Sequence, residues 1–477
     1  MKKTVIIGSN HAGIAAANTL LDHYPDQQVI MIDKSNSLSY LGCGSPLWVG
    51  RQIDSYETLF YTNQEAFEEK GATIHMETNV VSVDFSKKII YCCHLNGATF
   101  EESYDNLILA TGSKPININL PGNNYEGIHC LKTFDDCMVV DKELEQSRIK
   151  NVAVVGAGYI GVEMAEAIKR RGKNVLLFDI ESQVLSGYYD SWLSEDMSNT
   201  LSDNGIELHL NEKVLSYEKH DVMEVFLHCI EELVEKVKVN PDIKISKNEI
   251  AYLDNKVRGI ATDKGEYPVD LVVNALGFIP NVDLGENHLT LSKENAYLVD
   301  EYQRTNLDNV YAIGDCATIY SNALNEVTHI ALATNAVRSG IVAGHSVGGS
   351  DLKSLGVQGS NGISIFGQNM VSTGISYEKA KKLGLDASVT DFEDLQKPSF
   401  MKDNEQVKLR IVYDDISRRI LGAQMSSKGD MSMGIHMFSL AIAKQVTVDE
   451  LALLDIFFLP HFNQPYNYIT MAALAAK

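Results

Sequence analysis

No apolar run in this sequence approaches the roughly 20 residues of a membrane-spanning helix, so a membrane partner is not expected. Positive charge is in deficit: 41 lysines and arginines stand against 63 aspartates and glutamates, a formal net charge of −22. Nucleic acid and anionic membrane surfaces both recruit basic proteins, and this balance excludes them as expected partners. Cysteine is sparse and follows no framework. The seven residues, an odd number, suit a reducing cytoplasmic compartment and no disulfide scaffold. Cys92-Cys93 has no Cys-x2-Cys or His pair beside it, and the histidines lack ligand spacing, so no metal site is expected. Low-complexity tracts and short repeats are missing too. The opening MKKTVIIG has the charged start of a signal peptide, but its apolar stretch stops at Gly8 before Asn10 and His11. A buried first strand is the better reading.

What is present is a repeated grammar on a chain of 477 residues, long enough for two or three domains. Thr4 to Ile7 reads as a strand, GSNHAG as a turn and IAAANTLLDHY as a helix, after which the strand VIMID ends on Asp33. The pattern returns with VAVVG, GAGYIG, VEMAEAIKRRG and VLLFD, the last ending on Asp179. Such a turn lets backbone approach a pyrophosphate at a helix N-terminus, while the terminal acid accepts from a ribose hydroxyl. Gly156, Gly158 and Gly161 give the full Gly-x-Gly-x-x-Gly. In the first unit Gly8 and Gly13 hold the outer positions, with Asn10 at the middle one. Two such units point to two dinucleotide sites. Asp179, with no arginine in FDIESQ to receive a 2′-phosphate, favours NADH over NADPH.

Apolar runs closing on glycine recur at LILATGSKP, LVVNALGFIPN and VYAIGDCA, and linkers are expected near Pro115 to Gly122 and near GHSVGGSDLKS. From about Leu352 the chain alternates strand-like VKLRIVY with helical MGIHMFSLAIAK and has no phosphate loop, which reads as an assembly domain. Residues 216–250 place Val222, Phe226, Leu233 and Val237 on one helical face, as an inserted amphipathic helix would.

The single cysteine in SLSYLGCGSPLWVG stands apart. A Cys-x4-Cys redox pair needs a partner at position 48, which is Trp48, so Cys43 is either a small core residue or works alone. His11 opens a helix, where the macrodipole disfavours its cation, and can serve as a neutral hydrogen-bonding or proton-relaying group or simply as a capping residue.

Two dinucleotide units, ATG and GDCA segments and an assembly domain resemble the two-dinucleotide flavoprotein reductases. SNHAG, SYLGCG, GYIGVE and the ending DIFFLPHFNQPYNYITMAALAAK resemble their NADH oxidase and NADH peroxidase branch. FYTNQEAFEEKGA, AIGDCATIYSNA, ALATNAVRSGIVAGH and GVQGSNGISIFG resemble the water-forming NADH oxidases within it. The resemblance implies an α/β fold with two Rossmann-like domains and a C-terminal α+β dimerisation domain. FAD binding would fall to residues 1–117 and 279–350, and NADH binding to 118–278 with the insertion near 216–250. Dimerisation would fall to 351–477. It implies FAD contacts at Gly8, Asn10, His11, Asp33, Cys43, Thr111, Gly112, Lys132 and Asp315. Leu332 and Ala333 would lie beside the ring, and Phe458 would reach FAD from the assembly domain. NADH contacts are implied at Tyr159, Ile160, Asp179, Tyr188, Gly277, Ala331 and Gly362. Relatives commonly carry arginine at the place of Ile279.

The chemistry implied is hydride transfer from NADH to flavin, then oxygen reduction through a flavin peroxide. Cys43 as thiolate would cleave that peroxide and become a sulfenic acid, which a second NADH returns to thiolate. A neighbouring thiol would trap the sulfenic acid as a disulfide, so the missing partner suits the cycle. NADH peroxidase and coenzyme A disulfide reductase remain alternatives, as does a flavin-bearing redox sensor. His461 lacks the Pro and downstream glutamate of the disulfide reductases and is not assigned acid–base work.

Overall fold

A computed structural model describes residues 1–219 and 255–477. The inserted helix expected within 216–250 lies outside the described residues, apart from 216–219, which complete the strand Val214–Lys219.

Two five-stranded parallel sheets carry the repeated units. The first orders its strands Val310–Ala312, Asn106–Leu109, Lys2–Ile7, Gln27–Ile32, Thr73–His75. The second orders them Ile206–His209, Asn174–Phe178, Asn151–Val155, Leu271–Asn274, Ile128–Cys130. Both faces of such a sheet are covered, so its central strands close on consecutive apolar residues, as in VII, VIMI, LIL and VAVV. In the first sheet Val5, Ile7, Ile30 and Leu107 face one core, while Ile6, Val29, Met31 and Ile108 face another. Each glycine turn leaves the strand that begins its unit, with a sequence neighbour on one side (Gln27–Ile32 or Asn174–Phe178) and a later strand on the other. That change of direction opens a crevice at the carboxyl ends of the strands.

Four helices matter for the site: α1 (His11–His23), α2 (Ser45–Val49), α3 (Tyr159–Arg170) and α4 (Ala333–Val347). Helices α1 and α3 follow the two glycine turns. The sheets are joined by a two-stranded antiparallel link, Ser113–Pro115 with Phe278–Pro280, in which Ile279 faces Lys114. The last unit is an antiparallel sheet ordered Asn361–Ile365, Gln368–Gly374, Ile420–Ser427, Gln406–Asp414, Ala387–Leu395. It seats on the second unit through Asp190, which is fully buried. That carboxylate accepts from Gln424 Nε2 at 3.0 Å and from the Tyr377 and Glu378 N–H groups, and it lies 3.3 Å from Arg410. A buried carboxylate so fully paired ties the two units into one block. Among the described residues no helix is long and apolar enough to cross a membrane.

Candidate active site

The two turns are built alike. Gly8 and Gly156 adopt φ of +113° and +105°, and a Cβ there would lie 2.2 Å from the Ala110 carbonyl oxygen or 2.4 Å from that of Ala275. Only glycine lets the turn pass the neighbouring strand. Gly13 and Gly161 bring their helices down on those same glycines. The middle position differs. A Cβ on Gly158 would meet no protein atom within 4 Å, and its φ of −74° is open to any residue. The protein itself leaves that space free. Asn10, its counterpart, is extended at φ −105° and uses its side chain to accept from the His11 N–H at 2.9 Å, capping α1.

Both terminal acids hold their turns. Asp33 accepts from the Ser9 N–H at 2.6 Å and the Ser9 hydroxyl at 2.9 Å. Asp179 accepts from the Ala157 N–H at 2.5 Å and from the Glu181 N–H at 2.8 Å.

Thr111 donates to the Asn281 carbonyl at 2.6 Å, and the Asn281 N–H returns a bond to Gly112, so this loop meets the interunit link. Beside it Ser113 bridges two assigned residues: its hydroxyl donates to Asp315 Oδ2 at 2.9 Å and accepts from Lys132 Nζ at 2.8 Å. Lys132 lies over the Phe278 ring at 4.5 Å, and burial pushes its ammonium down against the pull of Asp315. His11 stacks on Tyr61 with centroids 5.6 Å apart, and its Nδ1 lies 3.0 Å from the Tyr61 hydroxyl. Burial lowers the His11 pKa, with Asp315 opposing, so a neutral ring is favoured.

Cys43 occupies the single helical turn Gly42–Gly44 and is exposed, whereas Trp48 is buried in the core. The protein packed behind the sulfur, and then the Glu163 carboxylate, hold its thiol above the ordinary range. Cys137, buried, is engaged by the Tyr40 hydroxyl, which also bonds Ser45.

On the other side of the crevice Tyr159 meets Tyr188 edge-on at 4.4 Å and hydrogen-bonds Tyr189 and Asn361. Asn361 precedes Gly362, so the last unit reaches the start of α3. Ile160 and Gly161 follow on that helix, and Gly277 turns at φ +93° just before the link. Ala331, Leu332 and Ala333 form the approach to and first residue of α4. Phe458 lies in an exposed apolar stretch of the last unit with Phe457, Leu459 and Phe462. Tyr61, Ser113 and Asn361 carry no signal in the sequence; each joins the site through a contact distant along the chain.

Residues 2–340 match the family described as pyridine nucleotide-disulphide oxidoreductase, and residues 363–467 match its dimerisation domain. The chain is 51% identical to an NADH oxidase of Lactococcus lactis subsp. cremoris and 47% identical to one of Streptococcus pyogenes serotype M6, covering 100% of both chains in each case. Among solved structures, the water-forming NADH oxidase from Lactobacillus brevis bound to NADH is similar at a TM-score of 0.90. The identity is 31%, covering 100% of this chain and 98% of that one.

Proposed function

The chain belongs to the pyridine nucleotide-disulphide oxidoreductases, within their NADH oxidases, and from that premise we propose that it uses FAD to reduce dioxygen to water with two NADH. The observation that carries the water-forming reading is Cys43, an exposed thiol at the site whose sequence partner position is filled by a buried tryptophan. The residues present fit the cofactor. The first sheet offers a glycine turn, a capped helix start and Asp33 for the FAD ribose, with Lys132, Ser113 and Asp315 beside the loop of Thr111 and Gly112. Bound there, FAD supplies a hydride acceptor that passes electrons on to oxygen. The second sheet offers the space over Gly158 for the NADH pyrophosphate, with Asp179 for its ribose and Tyr159 and Tyr188 at the start of α3.

The remaining work belongs to side chains. Cys43 as thiolate attacks a peroxide oxygen, the O–O bond breaks, sulfur becomes a sulfenic acid, and the departing oxygen takes a proton from solvent and leaves as water. Two electrons from the second NADH then break the S–O bond, the oxygen leaves as a second water with a further proton from solvent, and sulfur returns to thiolate. His11, with Nδ1 occupied by Tyr61, keeps Nε2 available to hydrogen-bond the oxygen atom as a neutral ring. Oxygen consumed per NADH, with and without catalase, tests the reading. A half, unaffected by catalase, supports it; a value of one that catalase halves overturns it in favour of peroxide formation.

Two further outcomes are expected here. Asp179→Ala narrows the preference for NADH over NADPH, measured as the ratio of kcat/KM, because the 2′-phosphate no longer meets a carboxylate. An unchanged ratio removes Asp179 from that role. The protein also sediments as a homodimer, since Phe457, Phe458, Phe462 and Tyr466 are 65%, 48%, 57% and 76% exposed within ten residues. A fully active monomer at working concentration contradicts it.

A further inference from the structure

The turn that carries Cys43 is flanked by Gly42 and Gly44, the residue type with the freest backbone. Neither Leu41, which precedes the turn, nor Gly44, which precedes α2, offers a side-chain cap. Backbone bonds run from the Leu41 N–H to the Leu59 carbonyl at 2.8 Å and from the Gly44 N–H to the Leu41 carbonyl at 2.9 Å. Beneath the turn lies Tyr40. A Cβ on Gly42 would stand 3.6 Å from the Tyr40 Cε1, so the phenol folds back under the chain. Its hydroxyl hydrogen-bonds the hydroxyl of Ser45, the first residue of α2. That bond closes residues 40–45 into a ring, with Cys43 on its outer arc.

A third arm anchors the ring to the next unit. The Tyr40 hydroxyl donates to Cys137 Sγ at 3.2 Å, on the helix Phe134–Leu144. A phenol has one proton to give, so Ser45 is the donor to Tyr40. Burial, and then Cys137, push the Tyr40 phenol above its ordinary range, which keeps that proton in place. Tyr40, Ser45 and Cys137 are all buried, whereas Cys43 is exposed. Packing alone does not call for the hydroxyls. The Tyr40 ring rests on Phe60 at 5.8 Å and on Phe134 at 5.7 Å, contacts that a phenylalanine would keep. An apolar pair of the same shape would cost the core little. What the buried hydrogen bond adds is a defined conformation for the segment above it.

We propose that Tyr40 and Ser45 are positioning residues for Cys43, and that their hydrogen bond sets the division of product between water and hydrogen peroxide. The inference rests on the sulfenic cycle proposed above. Attack on a peroxide oxygen depends on placement, and an error of about 1 Å can slow such a step by roughly a hundredfold. Peroxide that is not cleaved departs. With the ring closed, the sulfur is held in one place by a buried bond that never touches it. With the ring open, the two glycines let the turn sample other conformations.

The test compares the FAD-loaded parent with Tyr40→Phe, Ser45→Ala, their double variant and Cys137→Ala. Three quantities are read: peroxide released per NADH, the rate of Cys43 alkylation and the thermal midpoint. Peroxide per NADH should rise about tenfold or more in Tyr40→Phe and in Ser45→Ala. Alkylation by iodoacetamide at fixed pH, with Cys43→Ser as the blank for the other cysteines, should speed up severalfold. A freed turn draws the sulfur away from the protein packed behind it, which lets the thiolate form more readily. The double variant should leak no more than either single, since all three lose the same bond. It should also melt no lower than Tyr40→Phe, since it leaves no unpaired hydroxyl in the core. Cys137→Ala cuts a cavity into that core but spares the ring, and should keep the parental product ratio. An unmoved peroxide release or an unmoved alkylation rate in the two single variants overturns the proposal. So does leakage that follows the thermal midpoint through the series, Cys137→Ala included. Failure of the cycle itself is told apart by Cys43→Ser. If that variant still makes water, the sulfenic reading falls, and alkylation alone decides whether the ring holds the sulfur.

Discussion

The Cys43→Ser variant will consume about one dioxygen per NADH where the parent consumes about one half, and hydrogen peroxide will accumulate in step with the NADH oxidised. Hydride transfer and cofactor retention do not need the sulfur, so the variant should stay yellow and turn over. What it loses is the group that cleaves the O–O bond, because a serine hydroxyl has no sulfenic state. The exchange is close to isosteric, and Cys43 is exposed on a short turn, so little packing is lost and stability should change by about 0.5 kcal/mol or less. Neither of the buried thiols Cys137 and Cys316 is free to take over. Cys137 is buried and held by the Tyr40 hydroxyl, and Cys316 is buried beneath the loop of Asp315. The oxygen electrode and a peroxide assay give the answer together. Unchanged stoichiometry in Cys43→Ser would make the cysteine structural and remove the sulfenic cycle.

Much of this site is legible in the sequence because it is local. A strand, a glycine turn, a helix and a terminal acid fall within about 30 consecutive residues, and both copies fold as that grammar requires. Asp33 and Asp179, expected as ribose acceptors, each tie down their own turn. Asn10 breaks the glycine pattern without breaking the turn, because that position needs extended backbone and not a positive φ. What sequence does not display is pairing at a distance. Tyr61 reaches His11 across 50 residues, and Asn361 reaches Tyr159 across 202. Ser113 bridges to Asp315 across 202 as well. Neither periodicity nor spacing encodes these contacts, which exist only once two sheets and a third unit are packed together.

The same distinction between what the fold needs and what the ligand needs gives the second large effect. Gly158→Ala should fold and keep FAD as the parent does, yet bind NADH roughly tenfold to a hundredfold more weakly. The backbone at Gly158 is compatible with alanine, and the added methyl would meet no protein atom within 4 Å, so the protein has no steric reason to object. A Gly-to-Ala change at a helix N-cap costs about 0.5–1 kcal/mol, too little to unfold the chain. A pyrophosphate drawn up to the start of α3 is in a different position. The methyl would stand where the phosphate oxygens approach the backbone, lengthening one or two charge-assisted hydrogen bonds, each contributing about 1.5–3 kcal/mol. Gly156→Ala is the contrasting variant. At φ +105° with a carbonyl oxygen 2.4 Å from the new Cβ, it must distort the turn and should lower the thermal midpoint. Measuring the NADH Kd and the thermal midpoint for both variants separates the two requirements. If Gly158→Ala keeps the parental Kd while folded, the pyrophosphate does not lie against this turn, and the assignment of the second dinucleotide site to α3 fails with it.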